Sequence, residues 1–218
     1  MERLTGLDAS FLYLETDTQH LHVCALLILD PADQPYSFDN LRAELGRRLP
    51  LIPHLRRRVH EVPFNLDHPI WVDDADFDID NHLRRVELPA PVGMDDLAGL
   101  LGEIASTPMD RNRPLWEMSV VEGLDDGKVA VLCKYHHSAV DGITGTNMMM
   151  HLCDLEPGLT RPEPEPWTPE PVPSDLELAA RAAVRQPPPA GMRGMVAKTQ
   201  GVVGGLAQRR RNSQSGIG

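Results

Sequence analysis

The segment KVAVLCKYHHSAVDG (residues 128–142) carries the residues on which the fold and the chemistry of this chain depend. Its first part, residues 128–135, is mostly apolar and predicts a buried β-strand. Two adjacent histidines, His136 and His137, follow, and an Asp-Gly pair then predicts a turn. Because neighbouring side chains of a strand point to opposite faces, we expect one histidine to face the core and the other a cleft.

The same geometry argues against a metal centre built on this pair, since the two rings cannot ligate one ion from opposite faces. Helical ligand spacing is also missing around His151, and the three cysteines form no CxxC motif. The other histidines show no ligand spacing that stands out: His20, His22, His54, His60, His68 and His82. The sequence therefore predicts no metal ion and no cofactor.

The regions around this segment predict strands interleaved with helices. Residues 115–122 predict a strand that forms a hairpin with residues 128–135, and residues 20–30 predict another buried strand. Apolar residues at helical spacing predict amphipathic helices over 37–49 and 94–106, and a methionine-rich helix over 141–154. Short extended stretches are predicted within 55–62, 70–72 and 77–88. The pattern indicates an α+β fold, a mixed sheet with covering helices.

The composition changes after this region. Ten of the 20 prolines lie between Pro157 and Pro189. We expect a domain over residues 1–158 and a Pro-rich linker over 159–189, with a short helix capped by Ser174 or Asp175. Residues 190–218 predict a basic tail, either an amphipathic segment on a membrane surface or a flexible segment.

Charge and hydropathy narrow the function classes. The 32 acidic and 21 basic side chains give a net charge of −11, which argues against a nucleic-acid binder. The N-terminus lacks a secretory signal pattern, and the apolar runs are only as long as strands. We therefore expect a cytoplasmic protein, with peripheral contact at the inner membrane or lipid droplets left open.

For an arbitrary protein, two packed histidines before a turn would be the favoured interpretation of HHSAVDG. A neutral imidazole, with an ordinary pKa of about 6.5, is also suited to take a proton from an alcohol. Further motifs favour this second interpretation. They are LDASF (residues 7–11), WVD before FDI and His82, and MDRNRPLWEM (residues 109–118).

Together, and in this order, these motifs resemble the bacterial wax ester synthase/diacylglycerol acyltransferase family from Leu4 to about Leu155. The wider superfamily of CoA-dependent acyltransferases, which includes chloramphenicol acetyltransferase-like enzymes and condensation domains, shares HHxxxDG but not the other motifs. The resemblance implies a chloramphenicol acetyltransferase-like fold, of which this chain is one half of a two-half acyltransferase.

The resemblance also implies the chemistry: transfer of a long-chain acyl group from acyl-CoA, as substrate, to diacylglycerol or a long-chain alcohol. It makes His137 the general base, His136 a supporting residue, Asp141 structural and Gly142 the turn residue. Pro114, Leu115 and Trp116 would line the acyl channel or belong to the scaffold.

The partners implied are acyl-CoA, a hydroxyl lipid and a C-terminal half of the same enzyme. One alternative is a non-catalytic, truncated homologue that binds lipid or a partner subunit. A condensation-domain relative is a third interpretation, which no carrier-protein feature of the sequence supports.

Overall fold

The fold is built on two β-sheets whose strands alternate with helices along the chain. The computed structural model describes residues 2–31, 36–124, 127–140, 151–154 and 167–185. The strands are β1 (Glu2–Arg3), β2 (His22–Leu29), β3 (Arg57–His60), β4 (Ile70–Asp73), β5 (Leu83–Val86), β6 (Trp116–Val121) and β7 (Val129–His136). The α-helices are α1 (Gly6–Leu14), α2 (Phe38–Arg48), α3 (Met94–Ser106) and α4 (Asp175–Arg185).

The larger sheet has four strands in the order β2-β7-β6-β5. Strand β7 pairs antiparallel with β2 on one side and with β6 on the other, while β5 runs parallel to β6. The predicted mixed sheet and the predicted hairpin between β6 and β7 are therefore confirmed. The smaller sheet has the order β1-β4-β3 and is antiparallel throughout.

The two faces of β7 pack against different helices, because its side chains alternate. Val131 and Cys133 belong to a core cluster with Leu45 of α2. Leu132 faces the other way and packs in a cluster with Leu97 of α3. All eight residues of β7 are buried, as expected of a central strand covered on both faces.

Strand β2 differs from its prediction. The apolar run over residues 20–30 predicts a buried strand, but β2 lies at an edge of the sheet. Among the described strands, β2 has a partner on only one of its long sides, and Val23 and Ile28 remain 37% and 42% exposed.

The helix ends follow from local hydrogen bonds. Helix α3 covers the predicted range 94–106, and α2 begins after Ser37, whose side chain accepts a hydrogen bond from the Asn40 N–H. Helix α1 was not predicted. The Thr5 hydroxyl accepts from the Asp8 N–H at 3.1 Å, which caps the start of the helix, and it donates to the Asp8 carboxylate at 2.5 Å. The sequence T-x-x-D was the signal for this helix.

The chain divides into two compact units, Met1–Val172 and Pro173–Gly218. Within the first, the Arg56 guanidinium lies 4.4 Å from the centre of the Trp167 ring, so residues beyond 158 contact this unit. The second unit contains α4, whose cap is Ser174, one of the two predicted candidates: its hydroxyl accepts from the Glu177 N–H, and the Glu177 carboxylate accepts from the Ser174 N–H. Residues 141–150 of the helix predicted over 141–154, and the tail over 190–218, lie outside the described residues. The domain boundaries stay a prediction.

Among the described helices, none combines the length and apolar character needed to cross a bilayer.

Candidate active site

His136, the last residue of β7, is fully buried. Its N–H donates to the Leu115 carbonyl at 3.0 Å. Its Nδ1 accepts a hydrogen bond from the Ser138 N–H at 3.1 Å, so in the neutral ring the proton is on Nε2. That nitrogen lies 3.5 Å from Glu15 Oε2. Burial lowers the pKa of His136 to about 4, although the Glu15 charge opposes this shift. His136 is therefore a neutral, fully enclosed ring at pH 7, a position suited to a supporting role.

His137 follows the strand and is half-buried. Its N–H donates to the Leu21 carbonyl at 2.8 Å, which ties it to the residue before β2. Its ring stacks on Phe11 of α1, with the ring centres 4.0 Å apart and the planes inclined by 22°. Nδ1 is buried and has no hydrogen-bond partner within the described structure. The ring is thus fixed in orientation by packing and backbone, and its nitrogen is not used to hold the fold.

Glu15 lies beside this pair, after the end of α1, and its two carboxylate oxygens face different groups. Oε2 accepts a hydrogen bond from Arg111 at 2.7 Å, and the same guanidinium nitrogen donates to the Leu12 carbonyl. Oε1 lies 3.6 Å from His20 Nδ1 and 3.5 Å from His22 Nε2. Burial raises the pKa of Glu15, but the Arg111 hydrogen bond and the neighbouring charges outweigh it, so the pKa lies below its ordinary value.

We call Glu15, His20, His22 and His136 the Glu15 cluster. Sequence reasoning identified only His136 among its members. His20 and His22 are two residues apart at the start of a strand, which is the spacing that places two side chains on the same side. Glu15 lies in a loop, and its position beside the histidines follows from the tertiary fold alone.

Pro114, Leu115 and Trp116 are buried in the core. The Trp116 indole N–H donates to the Leu55 carbonyl at 2.8 Å, and its ring stacks on His82 with a centre separation of 4.6 Å. The structure therefore gives this motif a packing role, and contact with a substrate stays a prediction. Asp141 and Gly142 lie outside the described residues, so their structural roles also stay predictions.

An apolar cavity of about 160 Å³ lies on the α2 side of the larger sheet. Its wall includes Leu27, Met118 and Cys133, with Glu44 and Arg48 also contributing. Burial raises the pKa of the Cys133 thiol to about 11, and burial also raises the pKa of Cys24. Both thiols are protonated at neutral pH and are therefore poor nucleophiles.

Comparison with known proteins places these features in a family. Residues 4–217 match the family described as the wax ester synthase/diacylglycerol acyltransferase catalytic domain. A putative diacylglycerol O-acyltransferase of Mycobacterium tuberculosis is 48% identical over 167 residues, which are 75% of this chain and 33% of that relative. A probable diacylglycerol O-acyltransferase of the same organism is 38% identical over 183 residues, which are 83% of this chain and 66% of that protein.

Two solved structures have folds similar to the one described above. The wax ester synthase/diacylglycerol acyltransferase from Marinobacter aquaeolei VT8 is 32% identical, with a TM-score of 0.58 over 68% of this chain and 37% of that one. The starter condensation domain of rhizomide synthetase is 14% identical, with a TM-score of 0.56 over 85% and 45%, and shows the fold alone. The described fold is therefore the one that the resemblance implied.

This chain spans about a third of the first of these curated relatives and of the Marinobacter structure. The extent of the family match, nearly the whole chain, together with 48% identity to a relative, decides the assignment. The chain belongs to the wax ester synthase/diacylglycerol acyltransferase family.

Proposed function

We propose that this chain provides the general base for O-acyl transfer from a long-chain acyl-CoA to the hydroxyl of diacylglycerol or of a long-chain alcohol. The observation that carries the proposal is the state of His137. Its ring is held against Phe11, half-buried, and its Nδ1 has no hydrogen-bond partner within the described structure. An imidazole in this state can accept a proton without breaking a contact that the fold needs.

The reaction needs no acyl-enzyme. His137 takes the proton of the acceptor hydroxyl as its oxygen attacks the thioester carbonyl. The C–S bond then breaks, and the imidazolium returns the proton to the departing CoA sulfur. Atoms and charge balance with no further reactant. The protonated thiols of the buried Cys133 and the half-buried Cys24 support direct transfer over an intermediate on either cysteine.

Neighbouring groups support the base indirectly. His136 stays neutral and enclosed, so it adds no positive charge that would discourage protonation of its neighbour. The Leu21 carbonyl fixes the backbone of His137. We propose that a C-terminal half, of the kind the longer relatives contain, completes the substrate channel, and that the enzyme works in the cytoplasm, at the membrane surface or on lipid droplets.

The experiment compares His137→Ala with wild type in the transfer of radiolabelled palmitoyl-CoA to dioleoylglycerol and to hexadecanol. Each protein is assayed alone and mixed with the C-terminal half of a family member. We expect His137→Ala to lower the rate of ester formation roughly 10²- to 10⁴-fold, the contribution typical of a general base. His151→Ala, which removes an exposed imidazole, is the matched control and should retain wild-type activity.

Two results would contradict the proposal. Retention of most activity by a folded His137→Ala variant would remove His137 as the base. If wild type transfers no acyl group in either condition, the chain is instead a non-catalytic homologue, a function that its partial coverage of the relatives also fits.

A further inference from the structure

Three buried side-chain atoms that could bind a metal ion lie close together near His136 and His137, the adjacent histidines at the end of β7. Glu15, His20 and His22 each offer one ligand atom within 4.8 Å of the others, and Glu15 Oε1 lies 3.6 Å from His20 Nδ1 and 3.5 Å from His22 Nε2. The Glu15, His20 and His22 side chains are only 11%, 8% and 3% exposed. None of the three atoms has a hydrogen-bond partner within the described structure. Buried polar atoms without partners are costly, so three of them facing one point call for a bound group.

The position of the proton on the His22 ring indicates which kind of group would bind there. Its Nδ1 lies 3.0 Å from the Ala105 carbonyl, which can only accept, so Nδ1 carries the proton. In the neutral ring Nε2 is therefore unprotonated, and two acceptors, His22 Nε2 and Glu15 Oε1, lie 3.5 Å apart. This pair is repulsive unless a cation lies between them.

The distances distinguish a metal ion from a proton. A charge-assisted N–H···O hydrogen bond is about 2.7–2.9 Å long, shorter than either contact of Glu15 Oε1 with the histidines. Two ligands about 2.0–2.1 Å from a tetrahedral Zn²⁺ lie about 3.4 Å apart. The observed separations of 3.5 and 3.6 Å match this second value.

We propose that Glu15, His20 and His22 bind a divalent transition-metal ion, with Zn²⁺ as the ion that the two nitrogen ligands and one oxygen ligand fit best. Two imidazoles and one carboxylate form a known zinc ligand set that leaves a fourth position open. The surrounding groups are those of a metal site. The Ala105 carbonyl fixes the tautomer of His22, and Arg111 holds the carboxylate through its other oxygen.

The ion acts on the backbone beside the active site. His20 and His22 flank Leu21, whose carbonyl accepts the N–H of His137. Bound metal would fix these two side chains to Glu15 and so hold Leu21 in place. The proposal concerns metal binding and positioning, and it stands independently of the acyl-transfer reaction.

The test uses the untagged 218-residue chain, stripped with a chelator and then titrated with Co²⁺ as a spectroscopic probe. We expect visible absorption bands of tetrahedral Co²⁺ that saturate at one ion per chain and disappear when Zn²⁺ displaces it. X-ray absorption of the Zn²⁺ form should show nitrogen and oxygen ligands at about 2.0–2.1 Å. Thermal unfolding should occur at a higher temperature with Zn²⁺ than without it.

His20→Gln and His22→Gln should each weaken Zn²⁺ binding by at least about 100-fold, because loss of a group that only orients a ligand already costs roughly 10- to 100-fold. His60→Gln is the matched control, since His60 Nε2 is also buried and without a partner but lies in β3, outside the cluster. If His22→Gln does not fold, His20→Gln decides, because His20 precedes the strand. Failure of wild type to bind either ion, or equal affinity in the His20 variant and the His60 control, would overturn the proposal.

Discussion

Two regions of this molecule contain buried histidine rings, and they differ in the hydrogen bonds that the ring nitrogens make. His82 lies between Phe77 and Trp116, with ring centres 5.3 and 4.6 Å away, and its Nδ1 donates to the Trp116 carbonyl at 2.9 Å. Among the described residues, no ring nitrogen of His82 is a buried atom that lacks a hydrogen-bond partner. In the Glu15 cluster, one ring nitrogen each of His20, His22 and His136 is buried and has no hydrogen-bond partner among the described residues.

The difference separates His82, whose ring packs in the core, from the histidines for which the two proposals give a role in metal binding or in support of His137. A buried ring with satisfied nitrogens and aromatic neighbours contributes packing, as Leu or Phe would. A buried ring with free nitrogens costs folding free energy, and such a cost persists where binding or catalysis recovers it. Burial alone would have classed the two regions together.

The largest effect expected is on the His82 side. Trp116→Ala removes a ring that is 1% exposed, together with its hydrogen bond to Leu55. We expect the free energy of unfolding to fall by about 3–5 kcal/mol, measured by urea denaturation. Trp116→Phe keeps most of the ring and should lose only about 1–2 kcal/mol. If Trp116→Ala leaves stability unchanged but abolishes acyl transfer, the motif belongs to the substrate site rather than to the core.

A smaller effect is expected at Glu15. In chelator-treated protein, Glu15→Gln weakens the contact with Arg111. The hydrogen bond between the two side chains is charge-assisted, and the Glu15 side chain is only 11% exposed. We expect a loss of about 1–2 kcal/mol in the free energy of unfolding. Glu122→Gln breaks the more exposed pair with Arg85 and should cost less than about 1 kcal/mol. Equal losses would show that the Glu15 cluster has no greater electrostatic coupling than an ordinary surface pair.

The smallest effect is a change in pH dependence. Burial lowers the pKa of His82 in the folded protein below its ordinary value of about 6.5. The unfolded chain therefore binds this proton more readily, so the stabilisation is complete above about pH 6.5 and is lost as the pH falls through the folded pKa. His82→Asn keeps a donor near the Trp116 carbonyl but does not titrate. Unfolding measured from pH 7 to pH 5 should show a shallower loss of stability in this variant, whereas identical slopes would contradict the assignment.

The fold was largely predictable because its elements follow from local patterns. Helix α3 and the hairpin of β6 and β7 come from hydrophobic periodicity and turn residues, which report directly on which face is buried. Whether β2 lies in the middle or at the edge of the sheet depends on which strands pair, and no local pattern encodes this. Its apolar run therefore indicated more burial than Val23 and Ile28 have.

The candidate site was predictable only in part, for the same reason. HHSAVDG identifies His137 because its chemistry is contiguous in sequence. The Glu15 cluster draws its members from three separate segments, the loop after α1, the start of β2 and the end of β7. The argument that two adjacent histidines cannot share a metal ion concerns only neighbours such as His136 and His137, whereas the proposed ligands His20 and His22 are two residues apart.

The two backbone hydrogen bonds of the dihistidine have a consequence for folding kinetics. His136 donates to Leu115, just before β6, so the local hairpin is sufficient to place it. His137 donates to Leu21, and the β2–β7 pairing that positions Leu21 joins segments roughly a hundred residues apart. Because closing a long loop costs entropy before the pairing contacts compensate for it, we expect His137, the proposed general base, to reach its position after the hairpin has formed. In refolding experiments, hairpin structure should therefore appear before the β2–β7 pairing that positions Leu21.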